Sequence, residues 1–382
     1  MHLGQNQISK WTTINREMRE KQIGILCVQE THLCPEHQTQ IDTLYARRLV
    51  VLNSSDTTRP CSSAGIAFIL NKEIINTTNT KIQVLIPGRA ALLSIKWHEN
   101  NIIKILNVYA PNNPNEHLNF WNKIKSEWLK LSLDAPDLMM GDFNLTEDPI
   151  DWAPARFDNE ATIDALCDLR TTLQVQDTWR IAHPHCRIFT FSSNHQTLSR
   201  LDRIYVSERH ATSLIDWDSH ICQIPTDHHL VSVRLAPPNL PHIGKGHWSW
   251  PQGLVTNTDL MDKVITLGIK AQADIENPTP HTNEINPQRI WCSLKNDMNT
   301  IARDTAKTHL HKINQRIHSL TKDMRKLAND RNIDGSEDVR LNEILLEKEI
   351  SHLQKRTLKR PPSVHKHNGL HMVRPSVSTG PK

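Results

Sequence analysis

The sequence predicts an α/β fold with a C-terminal helical extension, and three observations point there. Between residues 20 and 236 eight short apolar runs recur, each the length of a strand. Amphipathic stretches with helical spacing lie among them. Beyond about 236 the texture changes, first to prolines and glycines and then to a heptad-like seam.

The strand-like runs are 23–29, 64–70, 90–97, 102–109, 138–143, 188–191, 201–206 and 230–235. Several are apolar throughout, as strands covered on both faces are; others alternate, as in a sheet with one wetter face. Helical spacing is clearest over 114–131, where Trp121, Ile124, Trp128 and Leu131 recur every three or four residues. Asn113 before Pro114, with Glu116 two further on, supplies a side-chain cap, a first-turn proline and an acid at the positive end of the helix dipole. A second such stretch, 161–173, carries Ile163, Leu166, Leu169 and Leu173. This mixture means sheets covered by helices.

Pro237, Pro238, Pro241, Gly244 and Gly246, followed by Trp248 and Trp250, mark a linker. Past 258, Leu310, Ile313, Ile317, Leu320, Met324 and Leu327 keep a three-four spacing. Residues 329–337 break it, and a second helix follows with Leu341, Leu345 and Leu353 among its apolar positions. The simplest arrangement is a helical hairpin whose two helices pack on each other. The expected organisation is a domain over 1–236, a linker over 237–257, helices over 258–360 and a disordered tail over 361–382.

The 382 residues are 37% hydrophobic and 23% charged, which supports one large core plus an extension. No run of 18 apolar residues occurs, so no membrane helix is expected, and the N-terminus lacks the basic-then-apolar start of a secretory signal. The seven cysteines, at 27, 34, 61, 167, 186, 222 and 292, include no Cys-x-x-Cys pair. That dispersal argues against a disulfide framework or a zinc module and favours a reducing compartment. His183, His185 and Cys186 lie close together without a second ligand pair. Residues 1–240 hold 23 Lys/Arg against 26 Asp/Glu, a net of −3, and residues 241–382 hold 22 against 15, a net of +7. The acidic part suits a site that gathers carboxylates, and equally a solvated surface. The basic part suits a nucleic-acid-binding extension, and equally a solvated hairpin.

Four polar clusters end predicted strands, where α/β folds place their sites. The run to Val28 leads directly into Gln29, Glu30, Thr31 and His32, and a carboxylate there is costly unless paired or bound to a metal. Asn107, Tyr109 and Asn112 close the next such run, with a tyrosine able to donate to a phosphate oxygen. Gly141, Asp142 and Asn144 form the third, and alternation along a strand puts Asp142 and Asn144 on one face, a base beside a donor. In the fourth, Asp202 and His228 are positioned to pair, the carboxylate orienting the imidazole, with Asp227 adjoining.

In this order the clusters resemble the endonuclease/exonuclease/phosphatase superfamily: Gln-Glu-Thr-His at 29–32, Asn-Val-Tyr-Ala-Pro at 107–111, Gly-Asp-Phe-Asn at 141–144, Leu-Asp-Arg-Ile-Tyr at 201–205 and Thr-Asp-His at 226–228, with Thr226 where the family has serine. Pro-Gly-Arg-Ala at 87–90, the proline before Thr226 and Ile-Gly-Lys-Gly-His-Trp at 243–248 are similar to the endonucleases of fungal-type non-LTR retrotransposons. The resemblance implies a four-layer sandwich of two mostly antiparallel or mixed sheets flanked by helices. It implies metal-dependent phosphodiester hydrolysis that nicks DNA, leaving a 3′-hydroxyl to prime reverse transcription. By similarity Glu30 and Asp227 hold Mg²⁺ or Mn²⁺, Asp142 deprotonates the attacking water and Asn144 binds the phosphate. His228 is oriented by Asp202, Tyr109 fixes the phosphate or leaving group, and Asn112 and Arg89 bind substrate. DNA is the implied partner, with element RNA a second through the basic helices, and the nucleus is the implied place of action. Family members begin with a strand carrying an asparagine; Gln5, Asn6 and Gln7 are too few and too polar to form it, so a chain lacking that strand is expected. A relic that keeps the fold with impaired catalysis, and a small-molecule phosphatase, are the alternatives.

Overall fold

The computed structural model describes residues 5–97, 101–193, 195–222, 224, 226–236, 250, 254, 257–277 and 286–356. The linker motif at 243–248 and the expected tail lie outside them. The elements are α1 (Gln5–Glu20), β1 (Ile25–Gln29), α2 (Pro35–Tyr45), β2 (Leu49–Ser54), β3 (Ile66–Asn71), β4 (Lys81–Ile86), β5 (Ala90–Lys96), β6 (Ile102–Tyr109), α3 (His117–Lys130), β7 (Leu138–Asp142), β8 (Trp152–Ala153), α4 (Glu160–Leu173), β9 (Val175–Gln176), α5 (Thr178–Ala182), β10 (Phe191–Ser192), β11 (Leu198–Ser199), β12 (Asp202–Ser207), β13 (Leu214–His220), β14 (Leu230–Leu235), α6 (Thr258–Glu276), α7 (Pro287–Thr305), α8 (His311–Ala328) and α9 (Glu337–Arg356). Two compact units result, 1–244 with 316–352, and 245–315 with 353–382.

In the first unit the largest sheet runs β4-β5-β6-β7-β12-β9, with β6 and β7 parallel and the other neighbours antiparallel. A three-stranded antiparallel sheet, β1-β3-β2, and the β13–β14 hairpin make up the facing layer. Alternation along each strand divides the apolar residues between two cores. Ala91, Leu93, Ile95, Ile103, Ile105, Leu138 and Ile204 pack with Ile66, Phe68 and Leu70 between the sheets. Leu92, Leu106, Val108 and Met139 point the other way, onto Phe120, Trp121, Ile124 and Trp128 of α3 and Leu166, Leu169 and Leu173 of α4. On the far side Trp11, Ile14 and Met18 of α1 and Ile41 of α2 cover Leu26, Leu49, Val51, Ala67 and Ile69. Helix, sheet, sheet, helix is the expected four-layer order.

The local readings hold with adjustments. Asn113 does cap, accepting from the Asn115 amide, but it opens a 3-10 turn over Pro114–Glu116 before α3 begins. Leu131, expected on the buried face, is the C-cap and 40% exposed. Gln5, Asn6 and Gln7 start α1. Strands β2, β4 and β13 were not among the expected runs, and residues 188–191 contribute only the two-residue β10.

The largest difference concerns the heptad seam. Ala328, Ile333 and Ile344, from α8, the turn and α9, join Ala153, Phe189 and Leu198 in one buried cluster. So Ala328, Ile333 and Ile344 pack on the β8–β11 region. Leu341 and Leu345 are exposed, whereas Ile344 and Ile350 are buried. Arg187 adds a bidentate pair to Asp334, at 2.9 and 2.7 Å. In the second unit α6 and α7 pack around Leu254, Leu260 and Ala302, and Trp250 donates to Asn299 at 2.8 Å.

Two substitutions test these packings. Ile333→Ala empties a site that is 1% exposed and should cost about 2–4 kcal/mol of the first unit's stability in urea unfolding. A cost near zero would show that the turn does not belong to this core. Gly141 has φ +143, and a Cβ there would sit 1.9 Å from the Val108 carbonyl oxygen of the neighbouring parallel strand. Gly141→Ala should therefore lower stability by at least about 2 kcal/mol, read from the same unfolding curves.

Candidate active site

Strand register builds the site. In β6–β7 Tyr109 lies beside Asp142, and in β7–β12 Asp142 lies opposite Asp202. The three therefore form one row across three adjacent strands, at the ends where the polar clusters were expected. Residue 141 must be glycine for β7 to approach β6 this closely, because the Val108 carbonyl occupies the space a side chain needs.

Each neighbour of the row is held by a hydrogen bond. Glu30 follows β1 with a left-handed backbone, φ +51, and accepts from the Tyr109 hydroxyl. That hydroxyl also contacts Asn112 Oδ1 at 2.9 Å. The Arg89 guanidinium lies 4.4 Å over the Tyr109 ring and donates to the Ala110 carbonyl at 3.1 Å. Burial and the Glu30 carboxylate push the Tyr109 hydroxyl well above its ordinary pKa, so it remains a proton donor. Asn144 meets Asp142, though not by strand alternation: β7 ends at Asp142, and Asn144 turns back with φ +46. Its amide donates to Asp142 Oδ1 at 3.0 Å, and its Nδ2 to Asp142 Oδ2 at 3.2 Å and to the Ala110 carbonyl at 3.1 Å.

His228 enters from the segment before β14. Its Nδ1 is 2.8 Å from Asp202 Oδ2, and its ring lies on Phe191 with centroids 4.8 Å apart. Burial alone would lower its pKa, but the Asp202 carboxylate overrides that and raises it to about 9. The Asp142 carboxyl goes the other way for a carboxylate: burial, then the Asp202 charge opposite, push it up to about 7. Asp142, Asp202 and His228 each bring a possible ligand atom within 4.8 Å of the others. Two facing carboxylates of this kind suit a hard cation, which would relieve their repulsion. Glu30 and Asp227, the expected metal ligands, are both exposed and stand outside this group.

Several residues shape the site without the sequence having assigned them a role there. Asn107, fully buried, accepts from Gln29 Nε2 at 2.7 Å and donates to the Ala67 carbonyl at 3.2 Å, tying β1 and β3 to β6. The Thr190 hydroxyl accepts from the Asp202 amide at 3.0 Å. On the opposite face of β12, Arg203 is 2% exposed and pairs with Glu147 at 3.3 Å, to which Tyr205 also donates. Arg200 pairs with Asp177 at 2.7 Å and Asp151 at 3.4 Å. The arginines and tyrosine around Asp202 thus anchor the strand that presents it. A run mixing such residues with apolar ones was the available signal.

A transposon TX1 protein of Xenopus laevis, described as an uncharacterized 149 kDa protein, is 27% identical over 242 residues, covering 61% of this chain. The chain spans 17% of that relative's length. The AP endonuclease LMAP from Leishmania major has a similar fold, with a TM-score of 0.51 and 15% identity over 61% of this chain and 85% of that one. The endonuclease domain of TRAS1, a telomere-specific non-LTR retrotransposon, aligns with a TM-score of 0.43 and 14% identity over 62% of this chain and 97% of that one. Residues 12–228 match the Endonuclease/Exonuclease/phosphatase family, and the chain belongs to it.

Proposed function

We propose that this chain is a DNA endonuclease of a retrotransposon-type polyprotein, dependent on Mg²⁺ or Mn²⁺, that nicks its target in the nucleus and leaves a 3′-hydroxyl. The observation that carries this reading is the row of Tyr109, Asp142 and Asp202 across three adjacent strands, flanked by Glu30, Asn144 and His228. These are two kinds of group that phosphodiester hydrolysis needs, a base near neutrality and proton donors around a phosphate. Glu30 and the facing aspartates offer oxygen donors to a hard divalent cation, which when bound would neutralise charge on the phosphate. Asp142, at about 7, is poised to take a proton from water at neutral pH. His228, at about 9, is protonated there and donates from the Nε2 side while Asp202 holds Nδ1. Asn144 orients the Asp142 carboxylate, and Tyr109 keeps its proton for a substrate oxygen. The basic charge of residues 241–382 would add affinity for nucleic acid, element RNA included.

A second reading is a relative with weakened catalysis. It is favoured by one observation: among the described residues β1, which leads into Glu30, is paired on one side only. Unpaired ladder groups leave such a strand less firmly held.

Plasmid nicking with Mg²⁺ tests both readings. Asp142→Asn and His228→Ala should each lose at least about 100-fold of the activity with an unchanged far-ultraviolet circular dichroism spectrum. Undiminished nicking by either variant would sink the assignment. An intact fold with no nicking by the parent chain favours the second reading, and hydrolysis of inositol phosphates without nicking points to a small-molecule phosphatase.

The Asp202–His228 pair makes a separate prediction for the metal-free protein. The His228 imidazole should titrate near pH 9 by NMR, and in Asp202→Asn the midpoint should fall markedly. Because the folded value is raised, the pair's stabilisation is fully present below the ordinary histidine value of about 6.5 and fades as pH rises through about 9. A midpoint that ignores the Asp202 substitution would remove the pairing from the account.

A further inference from the structure

Away from the carboxylate row, a second cluster of donors lies at the start of α2. Cys34 is the N-cap of that helix and His37 stands three residues on. N-cap and third-position side chains meet at a helix start, which is why reciprocal capping pairs use that spacing. Cys61, distant in sequence, comes from the turn after β2. Donor atoms of Cys34, His37 and Cys61 all lie within 4.8 Å of one another. In a tetrahedral zinc site such atoms stand about 3.3–3.8 Å apart, so closure needs only a small shift.

Two features mark this as more than a chance grouping. His37 is only 8% exposed, and its buried Nδ1 has no hydrogen-bond partner. A buried imidazole nitrogen with nothing to bind is costly, and coordination through Nδ1 would give it a partner and fix the ring's tautomer. The backbone around the cluster is also already fixed. The Leu33 carbonyl accepts from Asn53 Nδ2 at 3.2 Å and from the Ser55 hydroxyl at 2.5 Å, and the Thr31 amide donates to the Gly65 carbonyl at 3.1 Å. The segments that carry Cys34 and Cys61 are thus pinned to each other on both sides of the donors.

We propose that Cys34, His37 and Cys61 form a zinc site, with the fourth position open to water. Two sulfurs and an imidazole are a borderline-soft set that suits zinc and rejects the hard cations that oxygen donors attract. The ion would clamp the loop that follows Glu30 to the loop that precedes β3. Cysteine spacing alone would not reveal such a site. The ligands are a local pair plus one residue brought in by the fold, a pattern no Cys-x-x-Cys search detects.

The test uses the full chain, reduced and stripped of metal, titrated with Co²⁺ and then Zn²⁺. One equivalent of Co²⁺ should give a sulfur-to-cobalt charge-transfer band, and Zn²⁺ should displace it. Only thiolate ligands produce that band, so cobalt at the carboxylate row does not interfere. Cys61 is exposed, so Cys61→Ser should fold normally, weaken the band and lower affinity at least about tenfold. Cys167→Ser, at an exposed cysteine elsewhere, should change nothing. The proposal is overturned if the reduced chain shows no band, even if Cys34 and Cys61 readily form a disulfide. A band that survives Cys61→Ser unchanged overturns it as well.

Discussion

Everything at the site depends on the register of three strands. Pairing of β6 with β7 sets Tyr109 beside Asp142, and pairing of β7 with β12 sets Asp202 opposite. A slip of one residue in either ladder would turn a polar side chain out to the helical face and bring an apolar one into the site. Gly141 enforces the first register by letting β7 lie against the Val108 carbonyl. The cost of this arrangement is electrostatic, since it buries one carboxylate facing another. Two hydrogen bonds from Asn144 and the His228 imidazolium offset part of that cost, and burial with the Asp202 charge still raises the Asp142 pKa. The same imbalance makes the group useful as a base near neutral pH.

Strand β12 divides its labour between its faces. Asp202 and Ile204 point between the sheets, one to the site and one to the inner core, while Arg203 and Tyr205 point outward to Glu147. Buried ion pairs of the Arg203 kind add little net stability, yet breaking one is costly, because it leaves a charge without a partner. Their effect is to make other registers of β12 expensive. The polar residues flanking Asp202 in sequence therefore act on the site without touching it.

Much of this was legible in the sequence, for a physical reason. Where an apolar run ends in a carboxylate or a histidine, burial and charge conflict, and that conflict is visible without a structure. Glu30, Asp142, Asp202 and His228 all sit at such ends; the fold groups the last three, and Glu30, itself exposed, joins them through Tyr109. Asn144 was expected beside Asp142 for the wrong reason, since a left-handed turn and not strand alternation returns it. Asp227 follows the same motif logic but is exposed, because nothing in a turn's composition fixes which of two adjacent polar residues faces inward. Strands β2, β4 and β13 were missed because they mix polar with apolar residues. Asn107 and Thr190 were missed as partners because their bonds depend on which chain segments the fold sets beside them.

The helical hairpin was the least legible part, and its place bears on His228. The β13–β14 hairpin that follows His228 is a two-stranded ribbon, a unit that is marginal alone in water. Polar contacts that join this region to α8, α9 and the turn between them include Arg325 with Asp218 at 3.0 Å, His229 with Glu347 at 3.5 Å, and the Arg187–Asp334 fork. The first is a half-exposed pair, worth well under about 1 kcal/mol in water. Burial decides the matter instead. Ile333 and Ile344 fill a cluster with Phe189 and Leu198, and a single isoleucine of that kind outweighs several surface pairs. Phe189 is two residues from Phe191, on which the His228 ring rests. A heptad pattern names the apolar positions of a helix but not the surface that receives them. The folded unit around the site consequently extends beyond the family-matched residues 12–228 to a hairpin about a hundred residues later in the chain.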